Sequence, residues 1–226
     1  MNVQQATKTL WSCARLVVLD SSFNPPTRAH GAMMQRALQH YSRDDSSVGA
    51  LFMIATKNAD KGGVGNLEHR IEMMKLLWKD LGLEQIPFGV ATTPHAIFAD
   101  KLQDILDTFR GNEVVFIVGF DTLTRLLDKK YYRTPLDAAL DPLMRRARLY
   151  VITRGDSVEE VDSQKQLLDR LKTGRIEGAP AWWSERIEIQ DVEDAQGLSS
   201  TKARQNIGYG VTPSIHNYIR ENNLYQ

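Results

Sequence analysis

The chain has 226 residues, of which 42% are hydrophobic and 25% charged, and its 28 basic side chains balance 28 acidic ones. A chain of this length buries enough apolar surface to fold without disulfides or a structural metal. The single cysteine, Cys13, excludes an internal disulfide and a thiolate metal cage, and it fits a reducing compartment. Zero net charge provides no general attraction to nucleic acid or acidic membranes, so any anion site must come from local placement of charge.

No apolar run approaches the roughly 18 residues that a membrane helix needs. We therefore expect neither a membrane nor a nucleic acid as partner. The expected location is the cytoplasm, with the nucleus as an open alternative, and the composition leaves the oligomeric state open.

Apolar segments of strand length alternate with longer amphipathic segments along the chain. The predicted strands cover residues 16–19, 51–55, 88–91, 114–118, 149–153 and 187–190. The predicted helices cover residues 29–41, 67–81, 100–109, 122–127, 158–172, 201–207 and 213–221. This alternation predicts one α/β domain over residues 1–226, with a doubly wound, mainly parallel sheet and a helical C-terminal end. In such sheets, ligands bind outside the carboxyl ends of the strands, where the strand order reverses.

The first predicted strand leads into the sequence DSSFNPPTRAH at residues 20–30, which ends in an apolar helix. Thr27 and His30 are three residues apart, so at a helix start they share a face and can both reach one phosphate. The alternative is that Thr27 is an ordinary N-cap and His30 a surface histidine. Spacing alone leaves both interpretations open.

A second polar segment, LSSTKAR, follows the last predicted strand at residues 198–204. Its two serines and threonine can cap a helix and donate to phosphate, while Lys202 and Arg204 supply positive charge. The alternative is a well-capped helix with solvated basic residues.

The first segment resembles the G-x-F-x-P-x-[H/T]-x-x-H signature of the nucleotidylyltransferase superfamily, and its SFNPxTxxH form resembles nicotinamide/nicotinate mononucleotide adenylyltransferases. The second resembles the ISSTxIR signature of the same family. The resemblance implies a Rossmann-like fold and adenylyl transfer from ATP to nicotinamide or nicotinate mononucleotide, which forms NAD and pyrophosphate. It also implies Mg²⁺ that arrives with ATP, and we expect no metal site built from protein side chains. One position departs from the pattern: Ser21 stands where the family usually has glycine, and its Cβ could crowd the nucleotide.

The resemblance assigns site residues by position. His30 would contact the α-phosphate as charge builds up on it, and the other catalytic candidates are Thr27, Lys61 and Arg204. Gly119 and Asp121 match a G-x-D element that holds the adenylate ribose. The implied ATP-binding residues are Ser21, Ser22, Phe23, His30, Gly119, Asp121, Ser199, Ser200, Thr201 and Arg204.

The match is weaker for the pyridine mononucleotide. The family usually stacks the pyridine ring on tryptophans, and the corresponding positions hold Tyr131-Tyr132 and, as our candidate, Phe98. These aromatic faces still permit stacking. The alternative is that Phe98 and the tyrosines are core or rim aromatics, and for Phe98 the two interpretations are equal. Arg154 matches the arginine of the family's V-x-T-R strand end. Lys101 replaces a threonine and would add a charge near the second substrate.

Two other functions remain open at this point. One keeps the fold and changes the acceptor to pantetheine-phosphate, FMN or another phosphorylated molecule, but Thr27 and the Tyr131-Tyr132 segment favour the pyridine nucleotide. The other is a nucleotide-binding homologue with little transferase activity, which hydrolyses ATP slowly or acts as an adaptor. Ser21, Lys101 and the absence of tryptophans at the stacking positions motivate it.

Overall fold

Seven strands form one sheet in the computed structural model, which describes residues 1–43, 46–56, 66–153, 158–192, 200–206 and 208–225. The strands are β1 (Asn2–Ala6), β2 (Arg15–Asp20), β3 (Val48–Ala55), β4 (Phe88–Thr93), β5 (Glu113–Gly119), β6 (Ala147–Ile152) and β7 (Ile187–Gln190). The α-helices of the described residues are α1 (Arg28–Tyr41), α2 (Leu67–Asp80), α3 (Phe98–Leu106), α4 (Phe120–Leu126), α5 (Leu136–Arg146), α6 (Val158–Lys172), α7 (Ser200–Gln205) and α8 (Pro213–Glu221). Within that part of the chain, no helix has the length and apolarity to cross a membrane.

The strand order is β1-β4-β3-β2-β5-β6-β7, and every neighbouring pair is parallel except β1 with β4. The chain builds outward from β2 in one direction through β3 and β4, and in the other through β5 to β7. The order therefore reverses between β2 and β5, which opens a crevice at their carboxyl ends. Leu19 pairs with Ile117, so the segments that follow these two strands leave the sheet side by side.

The sheet is covered by helices on both faces, and each face has its own apolar cluster. On one face, α1, α2 and α8 pack against residues such as Val17 and Phe52. On the other face, α3 to α6 pack against residues such as Leu16, Val18 and Phe116. All eight residues of β3 are buried, as expected of an interior parallel strand.

The doubly wound parallel sheet predicted from the sequence is confirmed, and each predicted strand appears within a few residues of its expected bounds. Two elements were not predicted. β1 is polar and fully exposed, so it carries no hydrophobic alternation, and it adds an antiparallel edge to β4. α5 lies where no helix was predicted and contains Pro142, a residue that ordinarily argues against a helix interior.

An ion network closes the amino edge of the sheet, opposite the crevice. Glu113 begins β5, and its two carboxylate oxygens accept from Arg15 Nε and Arg148 Nε, both at 2.7 Å. Burial acts to raise the pKa of Glu113, but hydrogen bonds and charge from Arg148 and Arg15 outweigh it and hold that pKa below its usual range. The network thus ties together the first residues of β2 and β5 and the start of β6.

Replacing Glu113 with glutamine should lower the free energy of unfolding at pH 7 by about 1.5–3 kcal/mol, because two charge-assisted hydrogen bonds are lost. The lowered pKa means that the unfolded state binds the proton first as the pH falls, so the wild type loses this contribution in acid. Urea unfolding of Glu113→Gln and wild type should therefore differ at pH 7 and converge below about pH 4. A difference that stays constant from neutral to acid pH would contradict this account.

Candidate active site

His30 is held at the start of α1, at the carboxyl edge of the sheet, with both ring nitrogens hydrogen-bonded. The backbone N–H of Thr27 donates to His30 Nδ1 at 3.0 Å, and the Thr27 hydroxyl lies 2.8 Å from the same nitrogen. Thr27 and His30 form a capping box. Because Nδ1 accepts, the neutral imidazole carries its proton on Nε2, which lies 3.0 Å from Ser21 Oγ. His30 is only 8% exposed, so it is not the ordinary surface histidine of the alternative interpretation.

The loop between β2 and α1 takes its shape from buried Phe23. Phe23 has φ of 44°, a left-handed conformation that costs a non-glycine residue about 1–3 kcal/mol and persists where packing enforces it. Its ring packs against His30 and Phe52 at centroid distances of 4.9 and 5.2 Å. The following Asn24–Pro25 peptide bond is cis. The Phe23 side chain thus lies in the core, and only its backbone could meet the nucleotide that the sequence assigned to it.

The short helix α7 is tied to this loop, although the two segments come from opposite ends of the chain. Ser200 Oγ donates to the carbonyl oxygen of Pro25 at 2.9 Å. Arg204 donates through Nη1 to the carbonyl oxygen of Asn24 and through Nη2 to Thr201 Oγ1. The structure therefore brings the two signature segments together, as the sequence argument requires.

Tyr225 is a third element of this junction, and sequence analysis missed it. Its hydroxyl donates to Asn24 Oδ1 at 2.6 Å. Burial raises the pKa of Tyr225 to about 12 against the opposing charges of Arg70 and Arg204, so the hydroxyl keeps its proton at physiological pH. The sequence predicted the preceding helix over residues 213–221 but gave no signal for this bond. Near the start of α2, Arg70 is buried, and His69 Nδ1 lies 2.9 Å from the hydroxyl of Tyr218 in α8.

Gly119 and Asp121 lie where β5 ends, on the other side of the crevice. Gly119 is the N-cap of α4, and Asp121 lies exposed in the first turn of that helix. A carboxylate at this point is suited to accept from ribose hydroxyls. Ser22 and Thr201 are likewise exposed at the loop and at α7.

The aromatic residues predicted for the pyridine ring are not gathered into one stack. One face of Phe98 is covered by the Lys101 ammonium, which lies 4.9 Å from the ring centroid, and Phe116 meets the ring edge-on at 5.3 Å. Tyr131 is exposed, and the Tyr132 hydroxyl donates to the carbonyl oxygen of Leu126. Both tyrosines lie after the C-terminal end of α4. Among the described rings, neither tyrosine contacts Phe98.

Lys101 itself has a different environment from the one expected. Its side chain is 2% exposed and forms an ion pair with Asp20, the last residue of β2. Burial raises the pKa of Asp20, and the Lys101 charge opposes this shift. A buried ion pair therefore lies directly beneath the crevice, instead of a free charge near the second substrate.

Three predicted residues, Lys61, Arg154 and Ser199, lie outside the described residues. Within the described ranges, no group of three or more His, Cys, Asp or Glu side chains could hold a metal ion. The crevice as described combines an Nε2-protonated imidazole, hydroxyls, a guanidinium and a carboxylate. This set can bind and polarise a phosphorylated nucleotide.

Comparisons with known proteins identify the family of this chain. The cytidylyltransferase-like family model matches residues 18–206. A Schizosaccharomyces pombe protein provisionally named nicotinamide mononucleotide adenylyltransferase is 35% identical over 196 residues, which cover 85% of this chain and 75% of that protein. A Caenorhabditis elegans protein named nicotinamide/nicotinic acid mononucleotide adenylyltransferase 2 is 25% identical over 228 residues, covering 91% and 95%.

A solved structure shares the fold. Plasmodium falciparum nicotinic acid mononucleotide adenylyltransferase complexed with APC superposes with a TM-score of 0.59 at 14% identity, covering 94% of this chain and 97% of that one. The likeness extends over nearly the whole of both chains. At this identity it shows the fold alone.

We expect Lys101→Met to lower the free energy of unfolding by about 3–5 kcal/mol, because Asp20 would be left buried without its partner. The double variant Asp20→Val/Lys101→Met should recover most of that loss, since no charge then remains in the apolar site. Urea denaturation of both proteins beside the wild type measures the two values. A double variant as unstable as Lys101→Met would mean that the residues contribute by packing instead of by charge pairing.

Proposed function

The chain belongs to the cytidylyltransferase-like family and to its nicotinamide mononucleotide adenylyltransferase branch, and from this membership we propose that it transfers the adenylyl group of ATP to a pyridine mononucleotide. The products are NAD, or its acid form, and pyrophosphate. The observation that carries the proposal is the junction of the two signature segments at the sheet's reversal point. There, Ser200 and Arg204 hydrogen-bond to the loop that holds Thr27 and His30.

The reaction forms one bond and breaks one. A 5′-phosphate oxygen of the mononucleotide bonds to the α-phosphorus of ATP, and the bond from that phosphorus to the bridging oxygen breaks, so that pyrophosphate leaves. Transfer of this kind depends on positioning and charge compensation more than on covalent catalysis. Cys13 is buried beneath the sheet's amino edge, and the reaction requires no thiol.

Charge compensation comes from donors fixed before the substrates arrive. The capping box fixes the His30 ring through Nδ1, so the ring carries its proton on Nε2. The exposed carboxylate of Asp121 is our candidate to accept from the ribose hydroxyls. Such preorganised donors are most effective where charge develops in the transition state. Lys61 and Arg154 remain our candidates for binding phosphate and the mononucleotide.

ATP enters as its magnesium complex. Mg²⁺ usually keeps several waters and binds through substrate phosphates with one or two carboxylates, so it needs no dedicated protein cage.

The direct test is formation of NAD from ATP, Mg²⁺ and nicotinamide mononucleotide, with nicotinate mononucleotide in a parallel reaction. Turnover with either mononucleotide supports the proposal, and the ratio of the two rates measures the preference between amide and acid. ATP binding without product from either acceptor would instead favour the nucleotide-binding homologue without transferase activity.

Loss of the His30 imidazole should reduce transfer on the order of 10²–10³-fold, because one preorganised donor is removed. Both His30→Ala and His30→Gln remove the ring. His30→Gln preserves an acceptor for the Thr27 N–H, because glutamine is a common residue at this position of a capping box. Both should be nearly inactive; His30→Gln should melt close to the wild-type temperature, whereas His30→Ala should melt lower because the Thr27 N–H loses its acceptor. His40→Ala, in the last turn of the same helix, is the matched control and should retain activity. A His30→Gln protein that makes NAD at the normal rate would rule out this role.

Arg204→Ala should weaken ATP binding, since it removes a guanidinium that both supplies positive charge and braces the loop through Asn24. Arg204→Lys should recover only part of the affinity, because lysine lacks the planar fork that bonds two acceptors at once. Titration calorimetry with a non-hydrolysable ATP analogue and Mg²⁺ measures both variants. Unchanged nucleotide affinity in Arg204→Ala would remove this residue from the site.

A further inference from the structure

Ser21 lies at the Nε2 edge of the His30 ring, where the imidazole carries its proton. Nδ1 is used by Thr27, and Nε2 lies 3.0 Å from Ser21 Oγ. The face of the ring is packed against Phe23. His30 therefore cannot turn toward the crevice without breaking the capping box that begins α1.

The Ser21 hydroxyl is itself held from a rigid element. Its backbone N–H donates to the carbonyl oxygen of Met53 at 3.1 Å, which continues the β2–β3 ladder by one residue. Ser21 is half-buried, whereas the neighbouring Ser22 is exposed. The side chain thus projects from the end of the central strand toward the start of α1.

The position of the proton on the His30 ring determines which group donates in the hydrogen bond between His30 and Ser21. Nδ1 accepts from the Thr27 backbone, so Nε2 carries the proton and donates to Ser21 Oγ. Among the described residues, His30 Nε2 is the hydrogen-bond partner of that hydroxyl. Its own proton therefore remains available for an acceptor in the crevice, and hydrogen bonds in such a chain strengthen one another.

We infer that Ser21 is a catalytic residue that stands between His30 and the nucleotide: it accepts from His30 Nε2–H and donates its own proton to a nonbridging oxygen of the α-phosphate. This inference rests on the proposed adenylyl transfer. Ser21 stands where the family usually has glycine. In this chain, its hydroxyl is the group through which His30 polarises the phosphate. No covalent bond to Ser21 forms, and both protons stay on their donors through the step.

The rank order of two variants tests the relay. Ser21→Ala leaves a methyl group between His30 and the phosphate and should reduce kcat on the order of 10²-fold with little change in KM for ATP. Ser21→Gly removes the obstruction as well as the hydroxyl, opens Nε2 to the phosphate, and should retain more activity than Ser21→Ala. A merely structural role predicts the reverse order, because glycine is the less stabilising residue at the end of a strand. Ser163→Ala, which removes an exposed hydroxyl bonded within α6, is the matched control and should match the wild type.

Nuclear magnetic resonance of ¹⁵N-histidine-labelled protein provides a readout that does not depend on turnover. In the wild type, the His30 Hε2 proton should be protected from exchange and stay protected when α,β-methylene-ATP and Mg²⁺ are added. In Ser21→Ala the protection should be lost in the unliganded protein. Equal protection in the two unliganded proteins would overturn the hydrogen bond on which the relay depends.

The two proposals fail in different ways. A folded wild type that makes no NAD from either mononucleotide overturns the proposed function and the relay with it. If the wild type makes NAD but Ser21→Ala makes it as fast as Ser21→Gly or faster, the relay alone is overturned. Both proposals are supported if the wild type forms NAD, Ser21→Gly is more active than Ser21→Ala, and the His30 Hε2 proton loses its protection in Ser21→Ala.

Discussion

The bonds from α7 to the loop after β2 are the constraint on which the site depends. A loop that leaves a parallel sheet carries carbonyl groups that no neighbouring strand can satisfy, and buried carbonyls require partners. Ser200 and Arg204 supply donors to the carbonyls of Pro25 and Asn24, and Tyr225 adds a bond to the Asn24 side chain. One set of contacts thereby satisfies the loop and assembles an adenylyltransferase site from segments that lie far apart along the chain.

The amino edge of the sheet contributes to stability, whereas the carboxyl edge holds the groups for chemistry. The amino edge holds well-paired charges around Glu113, whose pKa is lowered by its arginine partners. The carboxyl edge holds the left-handed Phe23 and the buried Asp20–Lys101 pair, whose carboxyl pKa is raised by burial. Strained and desolvated groups concentrate at functional sites, where local consistency is given up for a particular arrangement. A chain with no net charge can therefore still present a strongly polar crevice.

The part of the site that would hold the pyridine ring departs furthest from the family pattern. Lys101 covers a face of Phe98, and the two tyrosines lie beyond α4. The family pattern located the tyrosines along the chain but not in space. Aromatic identity alone could not distinguish a stacking platform from a ring that packs on the core, because both uses bury the same surface.

The sequence by itself determined β2 to β7, most helices and the two signature segments. The hydrophobic periodicity, the capping residues and the polar segments that follow strands are local properties of the sequence. The sheet follows from the alternation of strand and helix patterns. The sequence did not indicate β1, which buries none of its residues, or α5, which contains Pro142. The tertiary structure alone decided which side chains meet: Asn24 with Tyr225 across 201 residues, Asp20 with Lys101 across 81, and Ser21 with His30 across a loop whose turn Phe23 enforces. Such pairings depend on strand order and loop direction, which arise only when separate segments compete to fill one core.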